Sequence, residues 1–388
     1  MFQKIHLKDT DEKQPTQDLV ANISGNIIGR LKEPEIENEK VSSKGNNRRL
    51  QKIHIRDAVG TILAHDLTRI IPGKSKGPAF KKGYVVRKAD IPELLKIGKE
   101  HLYVLDLSEG LLHEDDAALR IANAVCGDNL SWTAPKEGKS SILSTCDGLL
   151  KIDVEMLLRI NRMDDIIVAT LKNSYPCRKD QIVAATRIIP LVIPEDQIVE
   201  LQRITCGARP MLQIRPFRKL KFGGVVTGSE IYNGLIKDSF DEFVAKKAQQ
   251  YGCEMIKKVV VPDDTDAIAN AINELCDLGC ELILTTGGLS VDPDDVTRHG
   301  VRKCGARIIN YGSPVLPGAM ALYAERDNIP ILGLPACVFY HRTTIYDILL
   351  PRILADEPIT KDTFAKMGHG GLCLDCEECR YPACPFAQ

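Results

Sequence analysis

Two clusters in this 388-residue chain bring together side chains able to do chemistry. The first is Leu282-Ile283-Leu284-Thr285-Thr286-Gly287-Gly288-Leu289-Ser290-Val291-Asp292-Pro293-Asp294-Asp295, an apolar run, a paired-glycine turn and three carboxylates. The apolar part reads as a buried parallel strand, and the glycines let the backbone turn sharply with N–H groups facing an anion. Asp292, Asp294 and Asp295 put oxygen ligands where Mg²⁺ bound to a phosphate could sit; without such a cation they would repel the phosphate. The same residues also suit a capped, solvated loop in which Asp294 or Asp295 starts a helix over 296–304. Asp292 is the residue this plainer reading explains least.

The second cluster is Cys373-x₂-Cys376-x₂-Cys379-x₄-Cys384-Pro385. Four thiols this close suit one tetrahedral metal or one cubane cluster. The run differs from a ferredoxin-type motif by one extra residue before the last cysteine, so iron–sulfur, zinc and redox-switching thiols all stay open. His369 is either a substitute ligand or a loop residue between two glycines. The other nine of the 13 cysteines are scattered and read as structural, since in a reduced cytoplasm most can be small core residues.

The elements that must position these groups follow from periodicity. From residue 221 strands and helices alternate: strands at 222–227, 255–261 and Leu282–Thr286, helices ending at Gly252 and Gly279, further strands at 307–310, 320–323 and Ile329–Leu334, and a last helix at 341–350. Short connections imply parallel pairing, so the expected fold class is α/β, a doubly wound, mostly parallel sheet. Ligands bind such sheets beyond the carboxyl ends of the strands. Those ends carry Thr227-Gly228-Ser229-Glu230, Thr285-Thr286-Gly287-Gly288 and Leu334-Pro335, with hydroxyls on Thr227, Ser229, Thr286 and Ser290. Taken singly each is ordinary: a glycine pair can be only a turn, and Ser229 only a helix cap.

Smaller α+β units are expected before this domain. Residues 1–50 are polar and read as a flexible extension, although Gln3-Lys4-Ile5-His6-Leu7-Lys8-Asp9 nearly repeats Gln51-Lys52-Ile53-His54-Ile55-Arg56-Asp57. A unit over 51–139 has strands at 52–59, 83–86 and 101–107, and helices at 91–98 and Glu114–Val125. In it, His113-Glu114-Asp115-Asp116 reads as a dipole-matched helix start, since no second histidine lies at helical spacing. A second unit over 140–218 has strands 141–145 and 149–152 flanking Asp147-Gly148 as a hairpin, a helix at 154–160, and strands Ile166–Thr170 and 181–189. A boundary is expected near Lys219, with the main domain over 219–356 and a tail over 357–388. A net charge of -1 argues against nucleic acid, and no apolar run reaches the roughly 20 residues of a membrane helix.

Together, Thr227-Gly228-Ser229-Glu230, Thr285-Thr286-Gly287-Gly288-Leu289-Ser290-Val291 with Asp295, Pro317-Gly318 and Gly333-Leu334-Pro335 resemble, in order and approximate spacing, the molybdopterin-binding domain. With Gly83-Tyr84, His113-Glu114 and the cysteine tail, the fuller pattern is similar to a long variant related to the molybdenum-inserting transferase. The resemblance implies a site for molybdopterin or its adenylylated form, with molybdate inserted on removal of the nucleotide and Mg²⁺ assisting. It implies that Asp295, with Asp292 second, holds Mg²⁺ or orients the phosphoanhydride, while the amides of Gly287 and Gly288 take the phosphate. Thr227, Gly228, Ser229, Glu230, Thr286, Ser290, Pro317, Gly318, Leu334 and Pro335 would line the cofactor. A molybdoenzyme acceptor and a homo-oligomer are further expectations. Three departures stand out: Ser229 where the pattern has Asp, Ala319-Met320 where it has Lys-Pro, and Ala336-Cys337 where it has Gly-Asn. They keep open a non-catalytic carrier or sensor, and an iron–sulfur redox protein on the same scaffold.

Overall fold

The computed structural model describes residues 51–386 apart from 62, 72–74, 105–109, 208 and 290–295. The expected flexible extension at 1–50, with its near-repeat, therefore lies outside the described residues, as do Ser290, Asp292 and Asp295.

The sheet that positions the strand-end motifs has six strands: β1 Lys221–Thr227, β2 Glu254–Val261, β3 Leu282–Thr286, β4 Arg307–Tyr311, β5 Leu322–Arg326 and β6 Ile329–Leu334. Their order is β2-β1-β3-β6-β5-β4. The first four are mutually parallel, and β5 runs antiparallel to both β6 and β4. Every residue of β3 is buried, as a central strand covered on both faces requires.

Side chains alternate across the pleat. Phe222, Val226, Leu284 and Leu332 pack with Phe240, Val244, Tyr346 and Leu349 on one face, whereas Val225, Ile283 and Ile331 pack with Ile268, Ile272, Leu275 and Val301 on the other. The helices that supply these layers are α1 Lys246–Gln250, preceded by a π-helical turn at Asp241–Ala245, α2 Thr265–Asp277, α3 Thr297–Lys303, α4 Ile345–Leu354 and α5 Lys361–Lys366. Apolar almost all round, α4 is buried along most of its length, and Thr344 and Asp347 close its first turn as a capping box. The doubly wound, mostly parallel architecture is thus the one present.

Upstream, Ala117, Ile121 and Val125 of helix Glu114–Val125 share one core with Ile142, Leu150, Val183 and Leu212. Packing therefore crosses the expected division at 139/140. The hairpin expected at Asp147-Gly148 is absent. Strand Lys139–Ser144 pairs with Ile182–Ile188, while Gly148–Ile152 pairs with Leu212–Pro216 in a different sheet. A tight two-residue hairpin of this kind needs positive φ in its turn, which neither Asp147 nor Gly148 adopts. Nearest the described N-terminus, Ile55, Leu63, Leu67, Leu94 and Leu102 form a separate small core. There the strand expected over 52–59 is only Gln51–His54, followed by a 3₁₀ turn at Ile55–Asp57, and 83–86 is loop with Gly83 at φ +80°. No helix among the described residues is long and apolar enough to cross a membrane.

His65 gives this region a pH dependence. Its Nδ1 is buried without a partner among the described residues, and burial, followed by the charge of Lys99, lowers its pKa below the ordinary value. Above about pH 6.5 the imidazole is neutral in both folded and unfolded chains. Below that the unfolded chain takes up the proton first, so stability falls until the depressed folded pKa is passed. Scanning calorimetry should show the melting temperature falling from pH 7 to 5 less steeply in His65→Leu than in the parent. An unchanged slope would remove His65 as a source.

Candidate functional site

The strand order turns at β1 and β3. From β1 the chain goes out to the edge strand β2, then returns to add β3 on the opposite side of β1. That is a topological switch point, where an open α/β sheet leaves a crevice at its carboxyl edge. Val226 lies beside Thr286, which sets Thr227-Gly228 against Thr286-Gly287.

The hydroxyls there are not equivalent. Thr227, 2% exposed, donates from Oγ1 to the Thr286 carbonyl at 3.2 Å and lies 3.1 Å from the hydroxyl of buried Thr297. Thr297 in turn donates to the Gly287 carbonyl at 3.0 Å. Thr227 thus braces the turn and has its hydroxyl engaged within the protein. The Thr286 Oγ1, by contrast, is buried with no partner among the described residues.

Gly287 and Gly288 have φ +89° and +55°, a region that costs other residues free energy. A Cβ on Gly287 would lie 2.1 Å from the Thr227 carbonyl oxygen, and one on Gly288 2.4 Å from Thr297 Oγ1. No hydrogen bond joins either glycine amide to another described residue.

Beside β1, Gly228 leads into the single helical turn Ser229–Tyr232. The Ser229 amide donates to Asp263 Oδ2 at 2.8 Å, and the Asp263 amide donates to Ser229 Oγ at 3.4 Å. A carboxylate from the end of β2 therefore stands next to the position where Ser229 lacks one. Asp263 and Thr297 are both absent from the strand-end motifs read in the sequence. Pro262-Asp263-Asp264 directly after β2 is a findable signal; nothing local marks Thr297.

The remaining motif residues play different parts. Glu230 is exposed, whereas Leu334 is fully buried in the core, so its side chain cannot line an open crevice. Pro335 is buried, and its carbonyl accepts from the Val338 amide at 3.1 Å. The Pro317 carbonyl accepts from the Ile345 amide at 3.2 Å, and a Cβ on Gly318 would fall 2.5 Å from that of Ile345, so this loop is seated on the start of α4.

Residues 223–355 match the family described as a probable molybdopterin binding domain. This segment belongs to that family. Residues 52–106 match a domain of unknown function. The chain is similar to a molybdopterin molybdenumtransferase of Synechococcus elongatus, 26% identical over 143 residues, 35% of this chain and 36% of the relative. A CinA-like protein of Amoebophilus asiaticus is 33% identical over 76 residues, 20% of this chain and 18% of that protein. The chain thus spans about a third or less of the length of these relatives. Among solved structures, a molybdopterin biosynthesis enzyme MoaB of Thermus thermophilus is similar at 19% identity and TM-score 0.31, covering 36% of this chain and 98% of its own.

Against the molybdopterin-binding domain lies the cysteine tail. Cys373, Cys376, Cys379 and Cys384 line one cavity of about 840 Å³ together with Tyr340, His341, Arg342 and Thr343. His369 is not part of its wall. Among the described residues no three His, Cys, Asp or Glu groups are arranged to hold a single metal ion. The scattered cysteines differ in kind. Cys177, Cys253, Cys280 and Cys304 are buried, and burial pushes the thiol of Cys177 up to about 12 and that of Cys280 up to about 11. Cys206 is exposed.

Proposed function

We propose that residues 219–356 hold molybdopterin, or its adenylylated form, at the carboxyl ends of β1, β3 and β6, and that molybdate is inserted there with Mg²⁺ assisting. The observation that carries this reading is the turn at Gly287 and Gly288, whose positive φ angles and lack of space for a Cβ leave only backbone to face a ligand. The Thr286 hydroxyl beside it is buried with no partner among the described residues, and such groups call for an explanation.

The residues present fit an anionic cofactor. The two glycine amides would take the terminal phosphate, and Asp295 with Asp292 would hold Mg²⁺. Asp263, fixed by the Ser229 amide, offers a further carboxylate from the β2 side. Mg²⁺, when bound, neutralises phosphate charge and polarises the anhydride. Iron–sulfur or zinc at Cys373, Cys376, Cys379 and Cys384, a molybdoenzyme acceptor, a homo-oligomeric assembly and a cytoplasmic setting belong to the same proposal.

The test is anaerobic purification, fluorescent detection of oxidised pterin, and molybdate insertion assayed in Asp295→Ala. Insertion should fall by roughly 10²-fold or more, as when a transition-state charge loses its stabilising partner, while pterin is retained. Insertion at the parent rate would refute the role given to Asp295. Ser229, Ala319-Met320 and Ala336-Cys337 favour a second reading, a carrier or sensor. That reading predicts stoichiometric pterin and no molybdate-dependent turnover in the parent protein. An iron–sulfur redox protein on this scaffold would instead be brown and free of pterin.

A further inference from the structure

We infer that Cys373, Cys376, Cys379 and Cys384 hold a 4Fe–4S cluster on a strap hydrogen-bonded to the Leu316-Pro317-Gly318 loop, so that cluster occupancy sets the position of that loop. The cluster assignment stands on the tail alone; the consequence for cofactor binding rests on the pterin reading above.

The strap is fastened at three places. At its start the Leu316 amide donates to the Gly371 carbonyl at 2.7 Å and the Cys373 amide donates to the Leu316 carbonyl at 2.8 Å. The first cysteine is therefore one hydrogen bond from the residue that precedes Pro317. In the middle, Thr343 Oγ1 lies 3.1 Å from Cys379 Sγ, and Arg342 Nη1 donates to the Glu377 carbonyl at 3.3 Å. Both come from the segment that leads into α4, whose first residue Ile345 packs on Gly318. At the far end the Tyr381 hydroxyl donates to the Asp347 carbonyl at 3.0 Å, and Phe386, 3% exposed, belongs to the core.

Between these fastenings the chain has little of its own to hold it. Residues 374–380 are all exposed, and the single backbone–backbone hydrogen bond among described residues 374–386 runs from the Ala383 amide to the Arg380 carbonyl. Ordering such a stretch costs backbone entropy. Four metal–thiolate bonds across one cavity would offset that cost.

The donor set favours a cluster over a single ion. All four ligands are thiolates in a Cys-x₂-Cys-x₂-Cys run that ends in Cys-Pro. The thiols line a cavity of about 840 Å³ without three of them meeting at one point. The wall carries Arg342 and Arg380 alongside the carboxylates Asp375, Glu377 and Glu378, so the charge of the lining is mixed and the thiolates alone select the cluster. Loading from a thiolate-bound 4Fe–4S donor balances simply: four Cys S–H bonds release four protons, four Fe–S(Cys) bonds form as four donor Fe–S bonds break, and no electron is transferred.

The experiment uses the full chain purified anaerobically and, in parallel, the same protein stripped with an iron chelator. Iron, acid-labile sulfide and zinc are measured, with visible absorption and electron paramagnetic resonance after dithionite reduction. Molybdopterin affinity and hydrogen exchange at the Leu316 and Cys373 amides are then compared between the two forms. About four irons and four sulfides per chain, slower exchange at both amides and at least roughly tenfold tighter pterin binding in the loaded form are expected. Cys376→Ser should reproduce the stripped form, and Cys206→Ser, outside the tail, the loaded one. One zinc per chain without iron, or neither metal, overturns the cluster. Equal exchange and equal pterin affinity in both forms overturn the coupling. A cluster-loaded protein that binds no pterin in either form refutes the functional reading and leaves the cluster standing.

Discussion

Gly287→Ala is expected to abolish pterin retention and to lower the melting temperature by several degrees at once. Two effects add. A side chain at φ +89° costs on the order of 1–3 kcal/mol. The new Cβ would also lie 2.1 Å from the Thr227 carbonyl oxygen, so the ends of β1 and β3 would have to part. Forced repacking of this kind costs a further 1–3 kcal/mol or so. Parting those ends breaks the Thr227 and Thr297 hydrogen bonds that shape the turn, which removes the proposed phosphate seat. Gly305→Ala separates the two effects. Gly305 has φ +91° but no atom within 4 Å of the position its Cβ would take, so it should show the conformational penalty alone and bind pterin normally. Parent-like pterin affinity in Gly287→Ala would mean that the phosphate sits elsewhere.

Glu357→Ala should destabilise the fold by about 3–5 kcal/mol. Glu357 Oε1 accepts from Lys151 Nζ at 2.7 Å and from Arg352 Nη1 at 3.0 Å, and the three side chains are only 14%, 19% and 16% exposed. Burial lowers the Lys151 pKa, and the hydrogen bond to Glu357 works against that shift. Removal of the carboxylate leaves two cations facing each other in a poorly solvated place. Lys151→Met and Arg352→Leu combined with Glu357→Leu should recover most of the loss, because an apolar cluster of similar volume leaves no buried charge unpaired. Urea unfolding of the single and triple variants measures both. A loss below 1 kcal/mol in Glu357→Ala would show that solvent already screens the group.

What could be read from the residues alone was mostly local. Strands Leu282–Thr286, Ile329–Leu334 and Ile166–Thr170 and helix Glu114–Val125 occupy the expected spans, since each is an apolar pattern with clear punctuation at its ends. The convergence of Thr227, Gly228, Ser229, Thr286, Gly287 and Gly288 followed from the rule that ligands meet the carboxyl ends of parallel strands. What escaped depends on pairing between distant residues. Asp263 meets Ser229 across 34 positions, and Thr297 meets Thr227 across 70, with no shared local signal. Thr227 looks in sequence like a ligand hydroxyl, because only the register with β3 shows that the Thr286 carbonyl takes its proton. The apparent hairpin at Asp147-Gly148 fails for the same reason: the partners of its two strands lie far along the chain.

The ties of Lys151 to Glu357 and of Lys172 to Phe386 join positions 206 and 214 residues apart. At a synthesis rate of roughly 5–20 residues per second, about 10–40 s pass on the ribosome between the making of each lysine and of its partner. During that interval Lys151 has no carboxylate to settle against, and the surface that later receives Glu357 and Phe386 faces water. Both ties can therefore close only after the C-terminal segment has been made.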